Sequence, residues 1–267
     1  MNDRPIGVFD SGLGGLTVLR ALVDLLPGED VVYFGDTGRF PYGPKPGHEV
    51  LEYALEISDL LVDLGAKMIV VACNSATAVA LPTLRARHDI PVVGVVEPGL
   101  RAAVLATRTG RVGVIGTVGT VGSGAYQRVA AELAPHVELT LAACPGFVEL
   151  VEAGDVDSDQ VHVLAERLLA PVRRAAVDTL VLGCTHYPLL ARTIGDVMGR
   201  EVVLVSSADE TAFEVRAMLR AERRRERARG GDPPRHTFLT SGDVERFREL
   251  GTRFMGPEVQ AVQEWRW

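Results

Sequence analysis

Cysteine is scarce in this sequence, and the scarcity argues against a disulfide-stabilised fold. Three cysteines occur in 267 residues, an odd number that leaves at least one thiol unpaired. The N-terminus has no basic stretch followed by an apolar segment, so we expect no secretory signal. Reduced thiols in the cytoplasm are therefore expected, and a buried, inert position is the default expectation for each of them.

Long apolar runs and excess positive charge are also missing. No apolar stretch approaches the roughly 18 residues that a membrane-spanning helix needs. The formal net charge is -7, which does not favour binding to nucleic acid or anionic lipid. Seven arginines cluster in the segment 216–229, but we interpret this segment as one solvated helix rather than a binding patch. A soluble protein with no nucleic-acid or membrane partner is predicted.

Short apolar runs rich in Val, Ile and Leu are abundant, and they alternate with helical patterns. Continuous runs of this kind are typical of strands buried on both faces, and the alternation predicts an α/β fold with parallel sheets. Helical spacing is clear at 16–26 and 48–64. The predicted strands are 6–10, 31–35, 68–72, 92–96, 112–116, 137–142, 180–183, 202–205 and 237–240.

Two pairs of segments repeat at nearly the same spacing. Ile6–Ser11 (IGVFDS) is similar to Val112–Thr117 (VGVIGT), 106 residues later. Lys67–Ser75 (KMIVVACNS) is similar to Asp178–His186 (DTLVLGCTH), 111 residues later. Buried strands resemble one another, which weakens the first match, but the second also places a cysteine at the same point. We interpret the repeat as two similar α/β halves, each with a thiol at the carboxyl end of a strand.

The two repeated cysteines, Cys73 and Cys184, are candidates for acid–base chemistry. A thiolate can remove a proton and a thiol can donate one, and the free cysteine pKa of about 8.5 suits either role. Two such groups on opposite faces of one carbon would invert a stereocentre. Cys144 precedes a proline, has no counterpart in the repeat, and is interpreted as structural.

The same inventory of residues disfavours cofactor chemistry. Pyridoxal phosphate, the usual route to an amino-acid carbanion, needs a Schiff-base lysine, and neither Lys45 nor Lys67 is suitably placed. The glycine-rich turn 12–15 lacks the full G-x-G-x-x-G spacing of a dinucleotide loop. Cys184 and His186 have no second ligand pair to complete a metal site. We predict a protein without cofactor or metal.

Polar residues near the strand ends have both a structural and a chemical interpretation. Asp10 could cap the following helix or share a proton with a thiol, and we favour the second role. His186 could be a structural histidine, but its position two residues after Cys184 favours catalysis. The residues that could cap helices, bind a carboxylate, or do both are Asn74, Ser75, Thr117, Thr120 and Thr185.

Five motifs together resemble the glutamate racemase family over most of the chain. They are FDSGLGG at Phe9–Gly15, GDTGRFPYG at Gly35–Gly43, ACNSAT at Ala72–Thr77, VIGT at Val114–Thr117 and LGCTHYP at Leu182–Pro188. Each motif alone is weak, whereas the combination is highly specific. The resemblance implies a cofactor-independent enzyme that interconverts L- and D-glutamate and supplies D-glutamate for peptidoglycan, and hence a bacterial cytoplasmic protein.

The resemblance also implies roles for individual residues. Cys73 corresponds to the base that acts on D-glutamate, and Cys184 to the base that acts on L-glutamate. Asp10 and His186 correspond to helpers beside the two thiols, and a further family glutamate falls on Glu152. The implied substrate contacts are Asp10, Ser11, Pro41, Tyr42, Gly43, Asn74, Ser75, Thr117, Thr185 and His186, with no metal ligand among them.

We therefore predict two similar doubly wound α/β domains with mostly parallel sheets and an active site in the cleft between them. Residues 1–97 and 209–267 form the first domain, and 98–208 form the second. One alternative function is a related racemase for aspartate or a similar acid. Another is a catalytically idle binding protein of the same fold, against which the intact cysteine pair argues. A small-molecule substrate and a homodimer are expected.

Overall fold

The computed structural model describes residues 4–221, 233–259 and 261–267 and contains two parallel β-sheets flanked by helices. Its strands are β1 (Ile6–Asp10), β2 (Val31–Gly35), β3 (Met68–Val71), β4 (Val92–Gly94), β5 (Arg111–Gly116), β6 (Glu138–Ala143), β7 (Thr179–Gly183), β8 (Val203–Ser206), β9 (His236–Thr240) and β10 (Val262–Glu264). Its α-helices are α1 (Leu16–Leu25), α2 (Gly47–Asp63), α3 (Asn74–Arg87), α4 (Val96–Ala106), α5 (Val118–Gly122), α6 (Ala125–Leu133), α7 (Phe147–Ala153), α8 (Asp159–Arg174), α9 (Ala191–Met198), α10 (Ser207–Ala221) and α11 (Val244–Met255).

The four strands of the second sheet have the same order as four strands of the first sheet. The first runs β10-β9-β2-β1-β3-β4 and the second runs β6-β5-β7-β8, and all neighbouring strands are parallel. Strands β2-β1-β3-β4 therefore correspond in order to β6-β5-β7-β8. The predicted α/β fold with two similar halves is confirmed. The repeated sequence segments lie on equivalent strands, β1 with β5 and β3 with β7.

The central strands are apolar because helices cover both faces of each sheet. Successive side chains of a strand point to opposite faces. In β3, Met68 and Val70 pack into the cluster formed with α1 and α10, whereas Ile69 and Val71 pack into the cluster formed with α2 and α3. In the second sheet, α7, α8 and α9 cover one face, and α4 and α6 cover the other.

Several strands and helices differ from their predicted bounds for local reasons. The strand predicted at 92–96 ends at Gly94 because α4 begins at Val96. Strand β6 lies one residue later than predicted. Strand β10 was not predicted, since it is only three residues long and two of the three are polar. Its pairing with β9 at the sheet edge, rather than an apolar pattern, defines it.

The end of the chain returns to the first sheet. Strand β9 pairs with β2, and α10 packs against α1. The division of the chain at 97/98 and 208/209 stays a prediction. Of the arginine-rich segment 216–229, residues 222–229 lie outside the described part of the chain. Within the described residues, no helix has both the length and the apolar character needed to cross a membrane.

Candidate active site

The main candidate for a functional site is a cavity where the carboxyl ends of strands from both sheets meet. Open α/β sheets place their ligand sites at this edge. The cavity holds about 590 Å³, part of which opens to solvent. Cys73 and Cys184 both line it, so the structure brings together the two thiols that the sequence repeat singled out. The predicted contacts that also line it are Ser11, Pro41, Tyr42, Gly43, Asn74, Ser75, Thr117, Thr185 and His186.

Cys73 lies two residues past β3 and caps helix α3. Its Sγ accepts a hydrogen bond from the backbone N–H of Ala76 at 3.4 Å. Burial raises the pKa of the Cys73 thiol to about 12, and the charge of Asp10 adds to this rise. Hydrogen bonds from Ala76 and Ser11 oppose it without cancelling it. Near neutral pH Cys73 is therefore a neutral thiol, which can donate a proton.

Cys184 follows β7 directly and has an imidazole beside it. Its Sγ is 3.9 Å from Nδ1 of His186, and Nε2 of His186 is 3.0 Å from Oε1 of Glu152. Burial alone would lower the pKa of His186, but hydrogen bonds with Cys184 and Glu152 raise it to about 10. A protonated imidazole attracts negative charge at the neighbouring sulfur. The protonated imidazole of His186 therefore lies between the Cys184 sulfur and the Glu152 carboxylate, where it can exchange a proton with a neighbouring group.

Asp10 lies at the end of β1, fully buried and behind the cavity wall. Its carboxylate accepts hydrogen bonds from the Gly12 N–H at 3.0 Å and from the Thr185 hydroxyl at 3.4 Å. Burial raises the pKa of Asp10, and the positive charge of His186 opposes this rise. Gly15, not Asp10, directly precedes the first residue of α1, but the backbone of Gly15 also forms a hydrogen bond with the Asp10 carboxylate. Asp10 therefore links the glycine-rich turn at the start of α1 to the Cys184 loop.

The glycine-rich turn after β1 lets the two halves of the protein approach closely. A Cβ atom at Gly14 would collide with the side chains of Thr185 and His186. The Thr17 hydroxyl also donates a hydrogen bond to the Thr185 carbonyl at 3.2 Å. The turn therefore packs directly against the residues that follow Cys184, which explains why glycine is needed at this position.

Two hydroxyl groups, those of Ser75 and Thr117, form a further wall of the cavity, and the buried hydroxyl of Thr120 contacts both of them. The Oγ of Ser75 lies 3.0 Å from Oγ1 of Thr117 and 3.2 Å from Oγ1 of Thr120. Thr117 also caps α5, since its Oγ1 accepts from the N–H of Thr120 at 3.2 Å. The structural interpretation of Thr117 is thus confirmed, and its side chain still lines the cavity. Hydroxyls in this arrangement can donate hydrogen bonds to a carboxylate.

The proline-rich loop 41–46 closes the cavity from the side of the first sheet. The Tyr42 hydroxyl donates to the buried carboxylate of Asp36, which also accepts from Nε of Arg39 at 2.7 Å and from Oγ of Ser241 at 2.6 Å. Because these contacts fix the Tyr42 side chain, they also fix the loop, whose backbone groups can bind a ligand.

Sequence reasoning missed some residues of the site. Cys144, interpreted as structural, is buried and also lines the cavity, where burial raises the pKa of its thiol to about 12. Its position two residues after the strand predicted at 137–142 was a usable signal. Tyr126 was not singled out at all, although its hydroxyl bonds to Asn74. Tyr126 lies within an ordinary amphipathic helix, and nothing in the local pattern distinguishes it.

Glu152 does not line the main cavity but supports His186 from behind, in a neighbouring cavity that also contains Phe40 and Arg246. Within the described residues, no three His, Cys, Asp or Glu side chains form a group that could hold a metal. The groups that the cavity offers include three thiols, hydroxyls, an imidazole, an amide and backbone N–H groups. Such a site can exchange a proton with a carbon atom bound between the thiols.

Comparison with known proteins is consistent with this chemistry. A family model described as Asp/Glu/Hydantoin racemase matches residues 6–213. A glutamate racemase of Acidothermus cellulolyticus is 53% identical over 262 residues, which cover 98% of this chain and 99% of the relative. A crystal structure of a glutamate racemase isoform from Bacillus anthracis is 38% identical with a TM-score of 0.92, covering 100% of this chain and 98% of that one. A glutamate racemase from Francisella tularensis in complex with D-glutamate is 31% identical with a TM-score of 0.91, covering 99% of this chain and 98% of that one.

Proposed function

This chain belongs to the Asp/Glu/hydantoin racemase family, and on that premise we propose that it interconverts L- and D-glutamate without a cofactor. The observation that carries the proposal is the pair Cys73 and Cys184, which lie past equivalent strands of the two halves and line one cavity. Glutamate racemases more than 50% identical over nearly the whole chain support glutamate as the substrate.

Racemisation requires one proton to leave the α-carbon on one face and another to arrive on the opposite face. In the L-to-D direction, the Cys184 thiolate takes the α-proton and becomes a thiol, which leaves an electron pair on the α-carbon. The Cys73 thiol then donates its proton to the other face and becomes a thiolate. The D-to-L direction uses the same groups in reverse. Each turnover therefore exchanges the protonation states of the two sulfurs, and protons must move between turnovers.

A protonated Cys73 is the form that the L-to-D direction requires. Burial keeps Cys73 protonated, with a pKa of about 12, and hydrogen bonds with Cys184 and Glu152 keep the imidazole of His186 protonated, with a pKa of about 10. In our proposal His186 holds the proton that Cys184 gives up, and Glu152 keeps His186 oriented and charged. Asp10 acts on Cys73 in the proposed mechanism. Its negative charge favours the protonated form of the Cys73 thiol.

The difficult step is the formation of negative charge on a carbon next to a carboxylate. Preorganised hydrogen-bond donors in a site that excludes water can stabilise such charge. We propose that Asn74, Thr185 and Ser11 hold the amino-acid end of the substrate. The hydroxyl wall of Ser75 and Thr117, with the backbone of the Tyr42 loop, would hold the side-chain carboxylate. All of these groups line the cavity, which supports the assignment.

Deuterium incorporation tests the two-base mechanism. L-glutamate would react in deuterium oxide and be stopped early. If Cys184 and Cys73 act as separate bases, new D-glutamate carries deuterium at Cα while the remaining L-glutamate stays almost unlabelled. Starting from D-glutamate, the labels reverse. Early product that keeps its original α-hydrogen would instead indicate a single base and overturn the assignment.

A comparison of substrates separates the alternative functions. Polarimetry or circular dichroism with L-glutamate and with L-aspartate distinguishes a glutamate racemase, an aspartate-type racemase and a catalytically idle protein. An aspartate racemase from Picrophilus torridus is only 16% identical to this chain and shares the fold alone. We expect racemisation of glutamate and little turnover of the shorter aspartate, whose side-chain carboxylate cannot reach the same donors.

We further propose that the D-glutamate product supplies peptidoglycan synthesis, that the protein works in the cytoplasm, and that it forms a homodimer. The glutamate racemase relatives support the first point, because D-glutamate has its principal use in that polymer. Depletion of the protein in its host should lead to cell lysis that added D-glutamate prevents. Light scattering of the purified protein measures the oligomeric state.

A further inference from the structure

The side-chain amide of Asn74 is buried and only half satisfied. Asn74 is the first residue of α3, directly after Cys73, and is 3% exposed. Its Nδ2 donates a hydrogen bond to the Tyr126 hydroxyl at 3.1 Å. Its Oδ1 is buried without a hydrogen-bond partner among the described residues. An unpaired buried acceptor is unfavourable, so a ligand in the cavity that Asn74 lines is expected to bring it a donor.

The substrate assigned under Proposed function has one such donor, and this step rests on that assignment. Both carboxylates of glutamate are ionised at neutral pH and can only accept hydrogen bonds. The α-ammonium group is the only donor in the molecule. The carbonyl oxygen of Asn74 therefore matches the α-ammonium group, whereas its NH₂ group would repel it.

Which end of the amide faces the cavity depends on Tyr126. The two ends have nearly the same shape, so packing alone does not choose between them. The Tyr126 hydroxyl accepts a hydrogen bond from the NH₂ group of Asn74, so the carbonyl end of the amide faces away from Tyr126. We propose that Tyr126 is a positioning residue, which orients the Asn74 carbonyl toward the α-ammonium group of the substrate.

The location of Tyr126 suits this role. It lies on α6, which packs in the second half of the protein, and its side chain is fully buried. Asn74 belongs to the first half, so the hydrogen bond crosses between the two. A Cβ atom at Gly183, the residue before Cys184, would lie 3.1 Å from the Tyr126 hydroxyl. The phenol of Tyr126 thus contacts Asn74, which follows Cys73, and lies beside Gly183, which precedes Cys184. Because Gly183 has no side chain, it leaves room for the phenol.

Replacing Tyr126 by phenylalanine tests the inference, because it removes the hydroxyl and keeps the ring. The Asn74 amide then loses its orienting acceptor. We expect KM for both glutamate enantiomers to rise about tenfold, as for one lost hydrogen bond to a charged group, with a smaller change in kcat. Tyr187→Phe is the matched control, since it also removes a buried phenol hydroxyl, one that donates to the Cys144 carbonyl at 3.1 Å. We expect Tyr187→Phe to lower the melting temperature without the tenfold rise in KM.

Inhibition by glutarate distinguishes a wrongly oriented Asn74 amide from a general loosening of the site. Glutarate has both carboxylates of glutamate but lacks the α-ammonium group. If Tyr126 acts through the Asn74 carbonyl, the inhibition constant of glutarate stays within about twofold in Tyr126→Phe while KM for glutamate rises. Equal weakening of glutarate and glutamate, or an unchanged KM for glutamate, would overturn the inference. Failure of the wild-type protein to racemise glutamate would instead overturn the proposed function, so the two failures are distinguishable.

Discussion

The backbone N–H of Gly119 donates a hydrogen bond to the carbonyl oxygen of Gly43 at 2.8 Å. Gly43 belongs to the loop beside the first sheet, and Gly119 to α5 beside the second, so this bond joins the two halves across the cavity. The approach is close, because a Cβ atom at Gly119 would lie 2.7 Å from the Gly43 oxygen. The bond holds the loop against the hydroxyl wall and so fixes the backbone that faces the ligand.

Substitution of Gly119 by alanine is expected to lower kcat/KM at least about tenfold. The added methyl group would displace the Gly43 carbonyl, since there is no flexible side chain at that point to move aside. Gly122→Ala is the matched control, because Gly122 lies on the same short helix with nothing within 4 Å of a built Cβ. Both variants gain helix propensity of about 0.5–1 kcal/mol, so stability alone cannot explain a difference between them. Equal racemase activity in the two variants would show that the bond does not matter for function.

Cys73→Ala and Cys184→Ala are each expected to abolish racemisation in both directions. The physical reason is that each face of the α-carbon has one base, and alanine can neither take nor give a proton. Circular dichroism of glutamate solutions measures the activity, and thermal denaturation verifies that the variants fold. Near-normal turnover in either variant would contradict the two-thiol assignment.

Cys144→Ala is the control for these variants, since it removes a third thiol from the wall of the same cavity. We expect it to remain active and to lose about 1 kcal/mol of stability, as for a small buried group. Complete loss of activity in a folded Cys144→Ala protein would mean that this cysteine takes part in the reaction.

Alkylation of Cys73 by iodoacetamide should depend steeply on pH in the ligand-free protein. Its pKa of about 12 means that only a small fraction is thiolate near neutrality. The alkylation rate should rise about tenfold per pH unit between about pH 8 and 10, because the thiolate is the reactive form. Asp10→Asn should speed alkylation at the lower pH, since Asp10 is the second cause of the raised pKa after burial.

Mass spectrometry of the Cys73 peptide gives these alkylation rates. Asp24→Asn is the control for loss of a negative charge, because Asp24 lies on the surface of the neighbouring helix α1 and its side chain is 63% exposed. An alkylation rate at Cys73 that does not change with pH would refute the prediction.

Glu152→Gln is expected to lower the pKa of His186 from its value of about 10, because the hydrogen bond to Glu152 is one of the contacts that raise it. The protonated imidazole is then less stable beside Cys184, and kcat/KM should fall about tenfold or more. The fall must be equal for L- and D-glutamate, because enantiomers have equal free energies and the equilibrium constant is one. NMR of ¹⁵N-labelled histidine measures the pKa directly.

Glu166→Gln is the matched control for Glu152→Gln, since Glu166 lies 4.0 Å from His162 on the exposed face of α8. It removes a carboxylate beside a histidine far from the cavity and should leave racemisation unchanged. If the pKa of His186 is the same in the wild-type protein and in Glu152→Gln, the proposed role of Glu152 is wrong.

The class of fold and the importance of two cysteines could be predicted from the amino-acid sequence alone. Buried parallel strands such as β1 and β7 are continuous apolar runs, so their positions are visible without knowledge of their neighbours. The repeat placed Cys73 and Cys184 at equivalent points, and parallel strands present their ends at one edge. Both conclusions depend only on residues adjacent in the chain and on general rules for α/β sheets.

The tertiary structure decided which residues surround those thiols. Strand β10 is defined by its pairing with β9, and its own residues carry little apolar signal. Glu152, 34 residues before His186 in sequence, contacts it only because the loop after β7 folds against α7. The contacts of Tyr126 with Asn74 and of Gly119 with Gly43 join segments that are 52 and 76 residues apart. Contacts between the two halves depend on how two separately formed sheets pack together, and no local pattern in the chain encodes that packing.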